Sequence, residues 1–222
     1  LDNPDFRALP RPIHFSTSLH PAGGPPAVIV YGREAPWTRA AAEAVQKAVR
    51  DWLGVTLALV DDRTVTSEET WLPSGAYVRR PLIVLGNCQD NRVLHALGTR
   101  YLEQSNRYWP GGDRFLLRTV FEPFIADVNW IVLSASTDAG LQAAVACFVE
   151  QLEGLPRAGG VIPRLRIHGG GKDAWQPNRG AWTVPAGYAA ASNESVSAIA
   201  MRAAANAPPP PTAGEPLASV IG

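Results

Sequence analysis

The sequence contains very little sulfur, with two cysteines and one methionine in 222 residues. Cys88 and Cys147 are too few for a disulfide framework and lack the C-x-x-C spacing of redox and zinc sites. Cys88 follows an apolar run and Cys147 lies within a helical pattern, positions where a free cysteine behaves as a small buried hydrophobe. Two unbridged thiols are expected, because these positions do not readily approach within the ~7 Å Cα separation that a disulfide needs.

No charge of one sign dominates the chain. Twenty basic and twenty acidic residues cancel, and the longest basic run is the pair Arg79-Arg80. This excludes the electrostatic footprint of a protein that binds nucleic acid or an anionic membrane. No apolar run reaches the ~20 residues that cross a bilayer. Because of both observations, neither nucleic acid nor a membrane is expected as a partner. A processed or excised piece is expected, since Leu1 is neither an initiator methionine nor the start of a signal-like segment.

Motifs that specify a chemistry are also missing. The stretch GGGKDA (Gly169–Ala174) fits the G-x-G-x-x-A form of the dinucleotide fingerprint, but Pro177 follows where the pyrophosphate-binding helix should begin. G-x-S-x-G and H-E-x-x-H do not occur, and the four histidines are scattered. The sequence therefore predicts no cofactor and no metal site.

Adjacent carboxylates occur only at Asp61-Asp62 and Glu68-Glu69. Glycoside hydrolysis requires two carboxyl groups that face each other across a cleft. Neighbouring side chains on an extended chain point to opposite sides, so neither pair can serve by itself. No catalytic residue is assigned.

Apolar patterning is what the sequence does offer. Short β-branched runs predict strands, and Pro36–Gly54, about 90–101 and about 137–155 carry helical apolar stripes, with Thr137 or Asp138 as an N-cap. The elements are ordered β-α-β-β-α-β-β-α. They predict an α+β fold with a mixed four- to five-stranded sheet and helices mainly on one face. Leu165–His168 offers one additional strand. The predicted strands are Ala27–Tyr31, Val55–Val60, Pro81–Leu85, Phe115–Glu122 and Asn129–Ser134.

Composition divides the chain into three parts. Residues 1–26 carry six prolines and predict an extended N-terminal arm. Residues 27–168 form the α+β domain. Residues 169–222 are rich in glycine, proline and alanine, and predict a linker or the start of a following domain, with a short helix at Ser195–Asn206.

Five residues are candidates for ligand binding. Asn87 and Asn91 follow the third strand, where a strand, a glycine turn and a helix often hold a ligand. The alternative for this turn is chain reversal alone, with Asn87 or Asp90 as the helix cap. Tyr108 and Trp109 provide loop aromatics on which sugar rings could stack, unless the Trp folds over the core. Arg118 lies mid-strand, where it faces either a ligand or solvent.

Three segments together resemble a known family. They are AAAEAVQKAVRDWLGVTLALVDD (Ala40–Asp62), PLIVLGNCQDNRVLHAL (Pro81–Leu97) and the unit that runs from DRFLLRTVFEPF to NWIVLSASTDAGLQAAVACFVEQL (Asp113–Leu152). They are similar to the N-terminal α+β domain of β-hexosaminidases, chitobiases and α-glucuronidases, the chitobiase domain-2-like fold. The resemblance covers about residues 27–155.

This resemblance implies a non-catalytic accessory domain of a glycoside hydrolase or polysaccharide lyase. The partner would be a C-terminal catalytic domain of the same protein, with glycan as a further partner, and the location would be secreted or periplasmic in a bacterium. No catalytic residue carries over, because the family's catalytic carboxylates lie in a following domain and residues 156–222 supply none. The alternatives are a carbohydrate-binding module, or a small α/β enzyme with an unrecognised site.

Overall fold

The computed structural model describes residues 14–170, and all of these fall within one compact unit. The predicted helix at Ser195–Asn206 and nearly all of the predicted linker lie outside the described residues. The strands are β1 (Thr17–Ser18), β2 (Val28–Tyr31), β3 (Ala58–Asp61), β4 (Leu82–Gly86), β5 (Phe115–Val120), β6 (Trp130–Ala135), β7 (Val161–Ile162) and β8 (Arg166–Gly169). The helices are α1 (Pro36–Leu53), α2 (Asp62–Val65), α3 (Gly75–Val78), α4 (Arg92–Gly98) and α5 (Asp138–Glu153).

Six strands form one mixed sheet in the order β3-β2-β4-β6-β5-β8. The first four strands are parallel, and β5 pairs antiparallel with both β6 and β8. A separate two-stranded sheet joins β1 to β7. The predicted α+β class with a mixed sheet is confirmed, but the sheet has six strands rather than four or five.

The two long helices pack on one face of the sheet. Helix α1 begins with Pro36 at its first turn, and Gly54 ends it at φ 76°, a left-handed conformation that suits glycine. Thr137 caps α5 by accepting a hydrogen bond from the amide of Gly140, as the sequence predicted. The core on this face combines one stripe from each helix with inward strand residues: Ala41, Val45, Val49, Leu141, Ala144, Phe148, Ile29, Ile83, Leu117 and Leu133.

The opposite face carries the shorter helix α4 and the single-turn helices. Val93, Leu94 and Leu97 of α4 cover Val28 and Val84 in the second core cluster. Helix α4 is shorter than the predicted span of about 90–101, because Asn91 caps it and the chain turns at Tyr101, which has φ 58°. On this face, Arg118 of β5 is partly exposed, and Arg166 and His168 of the neighbouring β8 are exposed.

Candidate functional site

The carboxyl ends of β2, β4 and β6 meet at one edge of the sheet. After β2 the chain crosses to β3, which neighbours β2 on one side. Strand β4 neighbours β2 on the other side, and the chain continues from β4 into α4 on the opposite face of the sheet. Such a reversal is a topological switch point, and ligands of open α/β sheets bind in the crevice that it creates. The gap between the loops after β2 and β4 is therefore the first place to look for a site.

Asp62 fills this crevice. It directly follows β3, is 4 % exposed, and accepts a hydrogen bond at each carboxylate oxygen. The donors are the amides of Arg33, at 2.9 Å, and of Arg92, at 2.8 Å. Because Arg33 follows β2 and Arg92 starts α4, one side chain ties both loops together. It occupies the position at the helix N-terminus that a bound anion would take.

Gly32 closes the same crevice from the side of β2. A Cβ atom on this residue would lie 2.0 Å from the backbone carbonyl oxygen of Asp90. The Gly32 amide also donates to the Thr38 hydroxyl, at 3.0 Å. The two loops are thus in contact where a ligand would enter.

Asn87 and Asn91 bond mainly to the backbone, and Asn87 also donates to the carboxylate of Asp90 at 2.8 Å. Asn87 accepts from the amides of Gln89 and Asp90, and donates to the carbonyl of Ala135. Asn91 donates to the carbonyl of Leu85 and caps α4. The prediction that Asn87 or Asp90 caps this helix was wrong.

The helix begins at Arg92, so the capping position falls on Asn91, whose side chain accepts from the amides of Val93 and Leu94. Asn87 instead stabilises the turn that precedes it. The predicted role of these two residues in ligand binding stays a prediction.

An open acidic cleft of about 360 Å³ lies on the outer side of this edge. Its lining includes Glu34, Trp37, Asp90, Arg107 and Asp138. Arg107 donates to Asp90 at 2.7 Å, and this hydrogen bond raises the pKa of the arginine above its usual value. Two of the charged groups in the cleft therefore neutralise each other.

A second cleft brings two of the predicted ligand residues together. It has a volume of about 170 Å³, lies beside the loop that joins α4 to β5, and is lined by Tyr101, Leu102, Gln104, Trp109, Leu116, Arg118 and His168. We call it the aromatic cleft. Tyr108 is next to it in sequence and is 86 % exposed, whereas Trp109 is 36 % exposed. The sequence pattern did not select Tyr101, because it placed this residue at the end of a regular helix.

Arg118 is held in the aromatic cleft by Glu103. Its guanidinium donates to one carboxylate oxygen of Glu103 at 2.8 Å, and also to the carbonyl of Leu102. The Glu103 side chain is fully buried, and its other oxygen accepts from the amides of Gln104 and Ser105. A buried carboxylate with this many donors fixes the direction of the arginine, which remains 29 % exposed.

Neither cysteine is suited to act as a nucleophile. Both are free, as predicted. Burial, together with the charge of Glu103, raises the pKa of Cys88 to about 12, and burial also raises the pKa of Cys147. The reactive thiolate is therefore scarce at neutral pH. Within residues 14–170, no cluster of three or more His, Cys, Asp or Glu side chains is placed to hold a metal ion.

The outer side of α1 and α5 carries an apolar groove of about 560 Å³, which we call the helix groove. Ala44, Ala48, Trp52, Val149, Leu152 and Leu155 contribute apolar surface to it, and Lys47, Asp51, Glu153 and Arg157 contribute charges of both signs. Across the described part of the chain, no helix is both long and apolar enough to span a bilayer.

Comparisons with known proteins give little. No protein-family model matches the chain, and no curated protein matches it. One solved structure with a weak likeness is CpGH84D, a glycoside hydrolase family 84 enzyme, with TM-score 0.41 and 11% sequence identity. The match covers 72% of this chain and 22% of that chain, so this chain spans less than a quarter of that protein. The chitobiase domain-2-like family is not identified by this match.

Proposed function

We propose that this chain is a non-catalytic accessory domain of a larger glycan-degrading protein, in which it packs against a catalytic domain that follows it. The observation that carries the proposal is the closed crevice at the switch point. Asp62 and Gly32 bring the loops after β2 and β4 together where an enzyme of this topology would bind its substrate. The sequence resemblance over residues 27–155 provides the glycan-degrading context.

The helix groove supports the packing part of the proposal. Its apolar floor and mixed-charge rim resemble the composition of an interface between domains of one chain. In the complete protein, Ala48→Glu would place a carboxylate on this floor and is expected to lower the melting temperature of the catalytic domain. Ala40→Glu, on the exposed side of the same helix, is the matched control and should leave it unchanged.

The coding sequence beyond Gly222 tests the context directly. A catalytic barrel or an α/α toroid is expected there. An unrelated domain, or a groove variant that behaves like its control, would contradict the proposal.

A carbohydrate-binding module is the second candidate, and the aromatic cleft favours it. Tyr101, Tyr108 and Trp109 expose ring surface within nine residues of one another, beside an arginine held by a buried carboxylate. The two candidates are compatible, since an accessory domain can also hold the polysaccharide near the catalytic domain. Retardation of the 222-residue chain in gels that contain soluble polysaccharide tests this candidate, and unchanged mobility in every gel would contradict it.

A further inference from the structure

The open face of β5 and β8 carries a groove whose charged side chains are all basic. It has a volume of about 520 Å³ and is lined by Leu102, Arg118, Thr119, Val120, Phe121, Arg164, Leu165, Arg166 and His168. We call it the basic groove. No carboxylate side chain lines it, although the whole chain has a net charge of +0. Because Arg118 is paired with the buried carboxylate of Glu103, the net positive charge of the groove comes from Arg164 and Arg166.

The spacing of the basic side chains follows from the strand. Arg166 and His168 are two residues apart on β8, so they project from the same face about 6.6 Å from each other. Arg164 lines the same groove from the extended segment before β8, where its guanidinium lies 5.6 Å from the centre of the Phe121 ring. The result is a row of two arginines and one histidine along one edge of the sheet.

The basic groove continues into the aromatic cleft, because Leu102, Arg118 and His168 line both. Tyr101 at the far end of the cleft is 88 % exposed and has φ 58°. A bulky residue rarely adopts this left-handed conformation, where glycine or asparagine is usual after a helix. The exposed ring makes too little contact to compensate for the strain, and strained residues concentrate at functional sites.

We propose that the basic groove and the aromatic cleft together bind an acidic polysaccharide, one whose sugar residues carry carboxylates. Arginine donates two parallel hydrogen bonds to a carboxylate, and Tyr101 and Trp109 offer flat surfaces for sugar rings. The inference rests on the proposed function, which supplies glycan as the polymer that the domain meets. Single-stranded nucleic acid also binds grooves with cations and aromatic rings, and is the alternative that the experiment must separate.

The test is affinity electrophoresis of the 222-residue chain at low ionic strength. The gels contain polygalacturonate, its fully methyl-esterified form, or poly(dT). Retardation by polygalacturonate is expected, with little by the methyl ester, which keeps the same backbone without the charge. The double variant Arg164→Gln/Arg166→Gln should weaken binding by about tenfold or more, as expected for the loss of two charge-assisted contacts.

The matched control is Arg39→Gln/Arg50→Gln, which removes the same charge from α1 on the other face and should bind as the unsubstituted chain does. Absence of retardation by polygalacturonate, equal weakening in both double variants, or tighter binding to poly(dT) would each overturn the inference. Cleavage of polygalacturonate by the bound chain would support this inference but refute the accessory role. Absence of both binding and cleavage would refute this inference alone.

Discussion

Replacement of Asp62 by alanine should destabilise the protein far more than replacement of its neighbour Asp61. The Asp62 carboxylate accepts two backbone hydrogen bonds, at 2.9 and 2.8 Å, from residues 29 and 30 positions away in sequence. A hydrogen bond to a charged group contributes about 1.5–3 kcal/mol, so two contribute about 3–6 kcal/mol. Arg33 is exposed and Arg92 is half-buried, so water can reach their amides in the variant. This places the expected loss near the lower end, at about 3 kcal/mol.

Urea unfolding monitored by tryptophan fluorescence measures this loss. Thermal unfolding gives a second readout: for a protein of this size, a loss of about 3 kcal/mol corresponds to a fall in Tm of about 6–12 °C. Asp61→Ala is the control, because Asp61 accepts one hydrogen bond, from the amide of Thr64 at the start of α2, and should lose about 1 kcal/mol. A loss in Asp62→Ala no larger than in Asp61→Ala would refute the role of Asp62 in closing the crevice.

Local geometry gives three further predictions. Gly32→Ala should unfold at much lower urea concentration than Gly75→Ala, since the new Cβ would overlap a carbonyl oxygen at 2.0 Å in the first case and meets nothing within 4 Å in the second; equal midpoints would contradict this. Tyr101→Gly should raise the free energy of unfolding by about 1 kcal/mol because it removes backbone strain, and a decrease would count against that strain. Cys88 and Cys147 should resist iodoacetamide at pH 8 in the folded protein but react fully in urea without prior reduction, as mass spectrometry can show; rapid modification of folded Cys88 would be inconsistent with its raised pKa.

Local signals in the sequence were sufficient for the two long helices. Pro36, Gly54 and Thr137 mark helix ends through short-range backbone chemistry, which does not depend on the rest of the fold. The buried parallel strands were equally clear, because a short continuous apolar run such as Leu82–Gly86 is typical of a strand that is covered on both faces. These elements were enough to predict the α+β class.

Features that depend on distant partners were not predictable in this way. Asp62 was considered as half of an adjacent acidic pair, whereas its role depends on two amides about thirty residues away. The sixth strand, β8, was predicted at Leu165–His168 only as an additional strand and was left out of the four- to five-stranded sheet, because exposed Arg166 and His168 weaken its apolar pattern. The cap of α4 was misplaced because several polar residues follow β4. Only the observed start of the helix at Arg92 shows that Asn91 is the cap.

The candidate site was anticipated in part. Trp109 and Arg118 were selected separately, and the fold brings both to the aromatic cleft. Tyr101 was missed because a left-handed conformation is normally indicated by a glycine or an asparagine, and this position holds a tyrosine. The basic groove was missed because its charges are separated in sequence by apolar residues, and a net charge of +0 hides a local excess.

Glycan turnover by the isolated 222-residue chain is the direct test of the proposed accessory role. Reducing ends released from chitin-type, uronic-acid-containing and neutral polysaccharides would be counted over long incubation at high protein concentration. An accessory domain should give no release above a heat-denatured control, because the switch-point crevice is closed by Asp62 and Gly32. Turnover that is abolished by Asp90→Asn or Glu34→Gln, in the acidic cleft at the same edge, and retained in Glu43→Gln on α1, would contradict the accessory role and identify the chain as an enzyme.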